Sequence, residues 1–550
     1  MLNLLQRSRY LCSMVPWRLS STLSIATLLL LAMSLPLRLH AQSVKPGGAE
    51  LARVPPMGWA SWNHYFCNYD AQTIRAQADA LVSTGMRDLG YKYVLIQECI
   101  APARDSGGNL IVDAKRFPHG MKALVDYIHS RGLKAGIYTD VGPYTCYPRP
   151  RYQGSFGHEE QDAATFASWG MDLVEMDYCN KPAGSRGREI YERMGVAIRK
   201  TGRPMVFYIC SWGNERPWEW AQGTAQLWRT DFDISLEKNH VQWSRMVRNF
   251  LSNAQHAVFS APNSWNDPDM LEVGTPGLTA LEGRSHFSMW AISGAPLLAG
   301  TDLTHMDTAT RATLTNEEVI AVDQDMLGAG PVRVSGHVDG PEVWAKPLAS
   351  QTSGTQAVLL LNLTATPKKI SVRWSDLGLL PHAKVRDLWV HKNLGSFAAE
   401  YSAMVPAHSV KMLKVSGQFN WKAGAVFEAE WPGNRRYGGA KLLNCGECSR
   451  GFGVSIGAAD GQTGGSLEFR HLTVPEAGRY TIDLTYVRNG LGDKTIHVRV
   501  NNARPFPVKA LMREWNWITI PIDLRAGDNS VTVSYSGRGM FNIDKIRLLR

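Results

Sequence analysis

Two aspartates carry the strongest chemical signal in the chain. Asp177 ends the run Leu-Val-Glu-Met-Asp, and Asp233 ends Trp-Arg-Thr-Asp-Phe-Asp. Each closes an apolar stretch of strand character, where an isolated charge is costly unless it is bonded or at work. Cleaving a glycosidic bond needs such a pair: one carboxylate attacks the anomeric carbon while the other acid protonates the departing oxygen. The plainer alternative is that strand-end aspartates cap the helices that follow them.

The elements around these residues limit the choice of fold. Residues 55–300 alternate short strand-like runs with amphipathic helical segments. The strand-like runs include Tyr93–Glu98, Leu133–Asp140, Leu173–Asp177, Val206–Cys210 and Leu227–Asp233; helical patterns cover Thr73–Leu89, Lys122–Arg131 and Arg188–Lys200. Such alternation predicts a parallel sheet, either doubly wound or closed into an eight-fold barrel. Polar residues at six strand ends (Glu98, Asp140, Asp177, Ser211, Asp233 and Asp269) favour the barrel, which gathers all of them on one rim. A doubly wound sheet would concentrate ligand contacts at one switch point. No Gly-x-Gly-x-x-Gly follows a strand in the right place and no Walker A loop occurs, which argues against dinucleotide and phosphate cradles. From residue 331 the texture becomes β-rich, with Val343–Pro347, Gln356–Leu361, Lys369–Trp374 and Val410–Val415 predicting an antiparallel sandwich over 331–418. Residues 416–424 read as a linker, and 425–550 as a second all-β domain.

Composition excludes other classes. The chain has 550 residues, 44% hydrophobic and 20% charged, which rules out a disordered, collagen-like or coiled-coil protein. Its 18 tryptophans suit either sugar-lined clefts or a packed core. The formal charge is +10, of which four arginines lie in residues 1–41; no dense Lys/Arg run suggests a nucleic-acid surface. Residues 1–41 read as a cleaved export signal, with the apolar run Ile25–Leu37 too short for a membrane span. A secreted or periplasmic protein is expected, with no membrane attachment after cleavage. Disulfides are allowed in that setting, and seven cysteines remain after the leader, so at least one thiol stays free. Cys445-Gly-Glu-Cys448 would be half a zinc site without a second pair, so a local disulfide is expected there.

Several segments resemble glycoside hydrolase family 27, the α-galactosidase or melibiase family. They are Pro-Pro-Met-Gly-Trp-Ala-Ser-Trp-Asn at 55–63, the runs 116–124 and 132–138, Trp-Asn-Asp-Pro-Asp-Met-Leu at 265–271 and Gly-Arg-Ser-His-Phe at 283–287. The resemblance implies a (β/α)₈ TIM barrel followed by an antiparallel sandwich, acting on an oligo- or polysaccharide without a catalytic cofactor. It places the nucleophile at Asp177 and the acid/base at Asp233, with Arg229 near the sugar 2-hydroxyl. It also implies that Trp59 stacks on the sugar ring, Tyr138 lines the pocket, and Asp269 and Met270 form its wall. Disulfides Cys67–Cys99 and Cys146–Cys179 follow from it, leaving Cys210 without an obvious partner.

Four residues at three sites depart from the family pattern. Gln97-Glu98 stand where two aspartates usually grip the galactose 4- and 6-hydroxyls. Glu175 replaces a lysine that contacts the 3- and 4-hydroxyls. Ser211 replaces a glutamate, as in the N-acetylgalactosaminidase branch. Glu175 and Asp177 are two apart on one strand, so both can face the pocket. An anion beside the nucleophile disfavours its ionisation. The reaction type is therefore expected to persist while the glycone changes: β-L-arabinopyranosidase, α-N-acetylgalactosaminidase and isomalto-dextranase are the alternatives, and a non-catalytic sugar-binding protein is the rival of another class. Residues 425–550 resemble a family 35 carbohydrate-binding module of jelly-roll type, through Phe427-Glu-Ala-Glu430, Ser449–Gly457, Ala477–Tyr480, Leu524–Asn529 and Phe541–Ile546. That resemblance implies a structural Ca²⁺ held by Glu428, Glu430 and Asp544, whose hard oxygen donors suit the ion.

Overall fold

The computed structural model describes residues 51–149, 151–235, 240–337, 339–349, 354–420, 424–431, 433–448, 452–457, 464–488, 494–510, 515–537 and 539–550. The expected leader at 1–41, and part of the Ser449–Gly457 stretch, fall outside these residues.

Eight strands run β1 (Met57–Ala60), β2 (Tyr91–Ile96), β3 (Lys134–Asp140), β4 (Leu173–Asp177), β5 (Val206–Ile209), β6 (Leu227–Arg229), β7 (Trp265–Asp267) and β8 (Leu297–Ala299). Neighbours pair in parallel in the order β8-β1-β2-β3-β4-β5-β6-β7. Leu271, just beyond β7, forms a parallel bridge to Ala299 and closes the ring. The Leu271 N–H donates to the Leu298 carbonyl and Gly300 N–H to the Leu271 carbonyl, both at 2.8 Å. This is the eight-fold barrel, not the open doubly wound sheet.

Strand parity explains how the barrel is filled. Side chains alternate across a strand, so one set points inward and the other meets the helices. Ala60, Tyr93, Leu95, Leu173, Val206, Tyr208, Leu227, Trp265 and Leu298 form one buried cluster, the barrel interior. Trp59, Val94, Ile96, Val174, Met176, Phe207, Ile209 and Trp228 belong to another, packed against residues of the helices such as Leu124, Phe166, Ile198 and Phe287. Two expected elements are shorter. The helix read over Thr73–Leu89 spans Ala71–Ser83, because Gly85 takes φ +84 and breaks it before a single 3₁₀ turn. The run Leu227–Asp233 is strand only to Arg229, after which the chain turns across the barrel mouth.

Beyond the barrel, a six-stranded antiparallel sheet and a two-stranded sheet cover Val332–Ser416. Trp344, Leu359, Leu361, Val410 and Met412 from it share the core of the barrel's outer layer. Residues from Ala425 to Leu549 form two further antiparallel sheets, of six and five strands, around a core of their own. Among the described residues no helix is long and apolar enough to cross a membrane.

Candidate active site

Each inward strand face is apolar low in the barrel and polar at the mouth. Tyr93 and Leu95 lead to Gln97, Leu173 to Glu175 and Asp177, Tyr208 to Cys210, and Leu227 to Arg229. These polar groups line a cleft open to solvent, together with Trp62, Glu98, Tyr138, Trp212, Asp233, Asp269 and Met270. Among the described residues the cleft wall thus holds five carboxylates and a single cation.

Asp177 is 8% exposed. Its Oδ2 accepts from the Tyr138 hydroxyl at 2.7 Å and its Oδ1 from the Tyr178 N–H at 2.8 Å. Burial, then the Asp233 charge, pushes its carboxyl up to about 7. Asp233 differs: its side chain is 45% exposed and is held at 3.0 Å by Arg229 Nη2. Arg229 is buried and also pairs with Asp269 Oδ1 at 3.1 Å. One guanidinium therefore fixes two acids, a fork geometry that lysine could not supply. Asp269 further accepts the Ile234 N–H at 2.8 Å, and burial lifts its carboxyl to about 7 despite Arg229.

The three departures from the family pattern do not all behave alike. The Gln97 amide oxygen accepts the Trp62 N–H at 3.1 Å, and its NH₂ donates to Glu175 Oε2 at 2.7 Å. Burial, then the Asp177 charge, raises the Glu175 carboxyl well above the usual range. Glu98 reaches the cleft with its oxygens already engaged: it accepts from Thr145 Oγ1 at 2.7 Å, the Tyr147 N–H at 3.0 Å and the Cys99 N–H at 3.3 Å, and its Oε1 lies 3.2 Å from the Tyr138 hydroxyl. Tyr138 has one hydroxyl proton, and the shorter contact gives it to Asp177. A hydrogen bond between Tyr138 and Glu98 then needs the proton on Glu98, whose carboxyl burial raises.

Two expected contacts are placed elsewhere. Trp59 is fully buried, with its indole N–H on the Thr301 carbonyl at 2.8 Å; it does not line the cleft, and Trp62 does. Ser211 is also fully buried and donates to the Asn214 carbonyl at 3.0 Å, while its neighbours Cys210 and Trp212 face the cleft. Sequence reasoning also passed over Asn63, whose amide donates to the buried Glu272 at 2.6 Å. For Trp59 parity was the available signal, since its neighbour Ala60 is inward; Trp62 and Asn63 reach the cleft from the short helix Trp62–Tyr65 that follows β1.

Cys67–Cys99, Cys146–Cys179 and Cys445–Cys448 are disulfides, and Cys210 is free and buried. Asp140, Cys146, Asp177 and Cys179 bring four donor atoms within 4.8 Å of one another, but both sulfurs are oxidised and cannot serve as thiolate ligands. The trio Glu428, Glu430 and Asp544 is not gathered in that way among the described residues, although Glu430 and Asp544 are buried.

The comparisons agree with this geometry. A family model described as alpha galactosidase A matches residues 54–325, and one for the alpha galactosidase C-terminal beta sandwich domain matches 338–415. The chain is 46% identical over 365 residues to an α-galactosidase of Cyamopsis tetragonoloba, covering 66% of this chain and 86% of that one. It is 47% identical over 371 residues to an α-galactosidase of Coffea arabica, covering 67% and 95%. Among solved structures, α-galactosidase I from Mortierella vinacea superposes with a TM-score of 0.62 at 35% identity, over 67% of this chain and 98% of that one. The α-galactosidase of Saccharomyces cerevisiae solved with raffinose gives 0.61 at 26% identity, over 68% and 99%. With two aspartates converging on one barrel-mouth cleft and relatives of this similarity along the barrel and first sandwich, the chain belongs to the α-galactosidase family of glycosidases.

Proposed function

We propose that the protein is a retaining, exo-acting glycosidase that releases terminal α-D-galactosyl or closely related residues. The observation that carries this reading is that Asp177 and Asp233 line one cleft, close enough for the Asp233 charge to raise the Asp177 carboxyl. Asp177, at the floor and bonded by Tyr138, attacks C1 once ionised. Asp233, held by Arg229 and open to solvent, protonates the departing oxygen. The same group then takes a proton from the water that hydrolyses the glycosyl-enzyme. Trapping with a 2-deoxy-2-fluoro glycosyl fluoride, followed by peptide mapping, tests the assignment. A label on the Asp177 peptide is expected, with product retained in anomeric configuration. A label elsewhere, or an inverted product, overturns it.

A second glycone is favoured by Glu98 and Glu175. With Glu98 committed to four protein partners and an acid in the lysine position, the pocket grips hydroxyls by a different donor set. Nitrophenyl α-galactoside, β-L-arabinopyranoside, α-N-acetylgalactosaminide and isomaltose substrates, assayed together, rank the candidates. Export rests on the basic-then-apolar character of residues 1–41, and activity in the culture medium or periplasm rather than in the cell interior is the expected outcome. The final sandwich is read as a sugar-binding module, with the exposed Trp517 and Tyr437 among its aromatic surface groups.

A further inference from the structure

We propose that Glu175 works as a neutral carboxylic acid, donating a hydrogen bond from Oε1 to a hydroxyl of the glycone. The inference rests on the glycosidase reading and names how that site binds its sugar.

The geometry assigns different roles to the two Glu175 oxygens. The Trp62 N–H can only donate, so the Gln97 atom facing it is the amide oxygen. The Gln97 NH₂ therefore faces Glu175 and donates to Oε2 at 2.7 Å. Oε2 is thereby an acceptor. No protein donor reaches Oε1 among the described residues, and Glu175 lines the cleft. The proton of the acid belongs on Oε1, where a sugar hydroxyl can receive it. The chain Trp62 N–H, Gln97, Glu175 is then a directed series of donors ending in the cleft, and each link polarises the next.

The surrounding charges keep that proton in place. Glu175 interacts with Asp177 on its own strand, Gln97 just after β2, Tyr208 on β5, Arg229 on β6 and Asp267 on β7, and it shares the cleft with Glu98, Tyr138, Cys210, Asp233 and Asp269. Asp177 and Asp267 oppose a charge on Glu175; Arg229 and the Gln97 amide favour one. Arg229 is already paired with Asp269 and Asp233. When Asp177 ionises to attack, its charge holds the neighbouring proton on Glu175 more firmly. Two acids two residues apart thus divide their tasks, one as an anion and one as a donor.

The test combines sugar binding with spectroscopy on the full chain. Dissociation constants for free galactose and L-arabinose are measured from pH 5 to pH 9 for the wild type, E175Q and E175A. Wild-type affinity should weaken by about tenfold as the acid ionises, the magnitude of one lost hydrogen bond. E175Q keeps an uncharged donor and should show only the weaker pH dependence that Asp177 and Asp269 impose, whereas E175A should bind about tenfold more weakly than E175Q throughout. Infrared difference spectra at neutral pH should show a protonated-carboxyl band in the wild type that is missing from E175Q. Absence of that band, or wild-type affinity that does not change with pH while E175Q binds as weakly as E175A, overturns the proposal. The two readings fail separately. A chain that binds sugar but hydrolyses no glycoside sinks the enzymatic reading alone, and the infrared result on Glu175 stands without turnover.

Discussion

Asp177 ionises only above about 7, because burial and the nearby Asp233 both favour its protonated form. A nucleophile must be anionic, so kcat/KM is expected to fall about tenfold per pH unit below that value. A pH profile with a nitrophenyl glycoside checks this, and an acidic limb near the ordinary carboxylate range of about 4 would contradict it. At Asp233, D233N removes the transferable proton while keeping a partner for Arg229. It should lower hydrolysis of glycosides with poor leaving groups by about 10²–10⁴-fold. Substrates whose leaving group needs no protonation should lose far less in the glycosylation step. That Asp177 and Asp233 share the cleft was legible because an acid closing an apolar strand costs stability unless it is bonded or at work. Cys210 was read only as a cysteine without an obvious partner, although two-residue periodicity from Tyr208 places it on the inward face; Trp62 begins a short helix after β1, where strand periodicity no longer applies. Glu98 obeys no such rule. It follows the inward Gln97 directly, yet both reach the cleft because Glu98 and Cys99 take positive φ, +57 and +55, and swing the chain round. Nothing in local sequence announces that turn.

Among the elements, β1 and β2 approach so closely that Gly58 is a steric requirement. A Cβ there would run into the Tyr93 carbonyl oxygen, a backbone atom that cannot step aside. G58A should destabilise the barrel by about 1–3 kcal/mol, read as a lowered midpoint in denaturant unfolding. An unchanged midpoint would show that the strand pair can part without loss. Barrel closure was legible only in outline. Strand–helix alternation left an open sheet and a barrel as alternatives and the polar strand ends favoured the barrel, but closure is completed by Leu271, one residue bridging to β8 outside any regular strand. Helix and strand lengths were overread where Gly85 and the turn after Arg229 end periodic patterns early.

At the scale of the whole molecule, cores and sheets divide the chain unevenly. The barrel and first sandwich share buried residues, whereas the C-terminal domain has a separate core running from Ala429 to Leu548. Unfolding is therefore expected in two steps, the barrel and first sandwich melting together. A chain ending at residue 424 should keep the larger transition and full turnover of nitrophenyl glycosides. A single cooperative transition in the full chain would count against independent cores.

Cys146 and Cys179 tie the loop after β3 to the residue two beyond Asp177, the proposed nucleophile, and the Cys146 sulfur lies 3.1 Å from Asp177 Oδ2. Maturation of the catalytic floor is thus linked to the electron supply of the compartment. Made in a glutathione-rich interior, the chain would carry loose thiols beside its nucleophile. Its specific activity should then be low and should recover on air or glutathione-disulfide treatment, a change a thiol titration would follow in parallel.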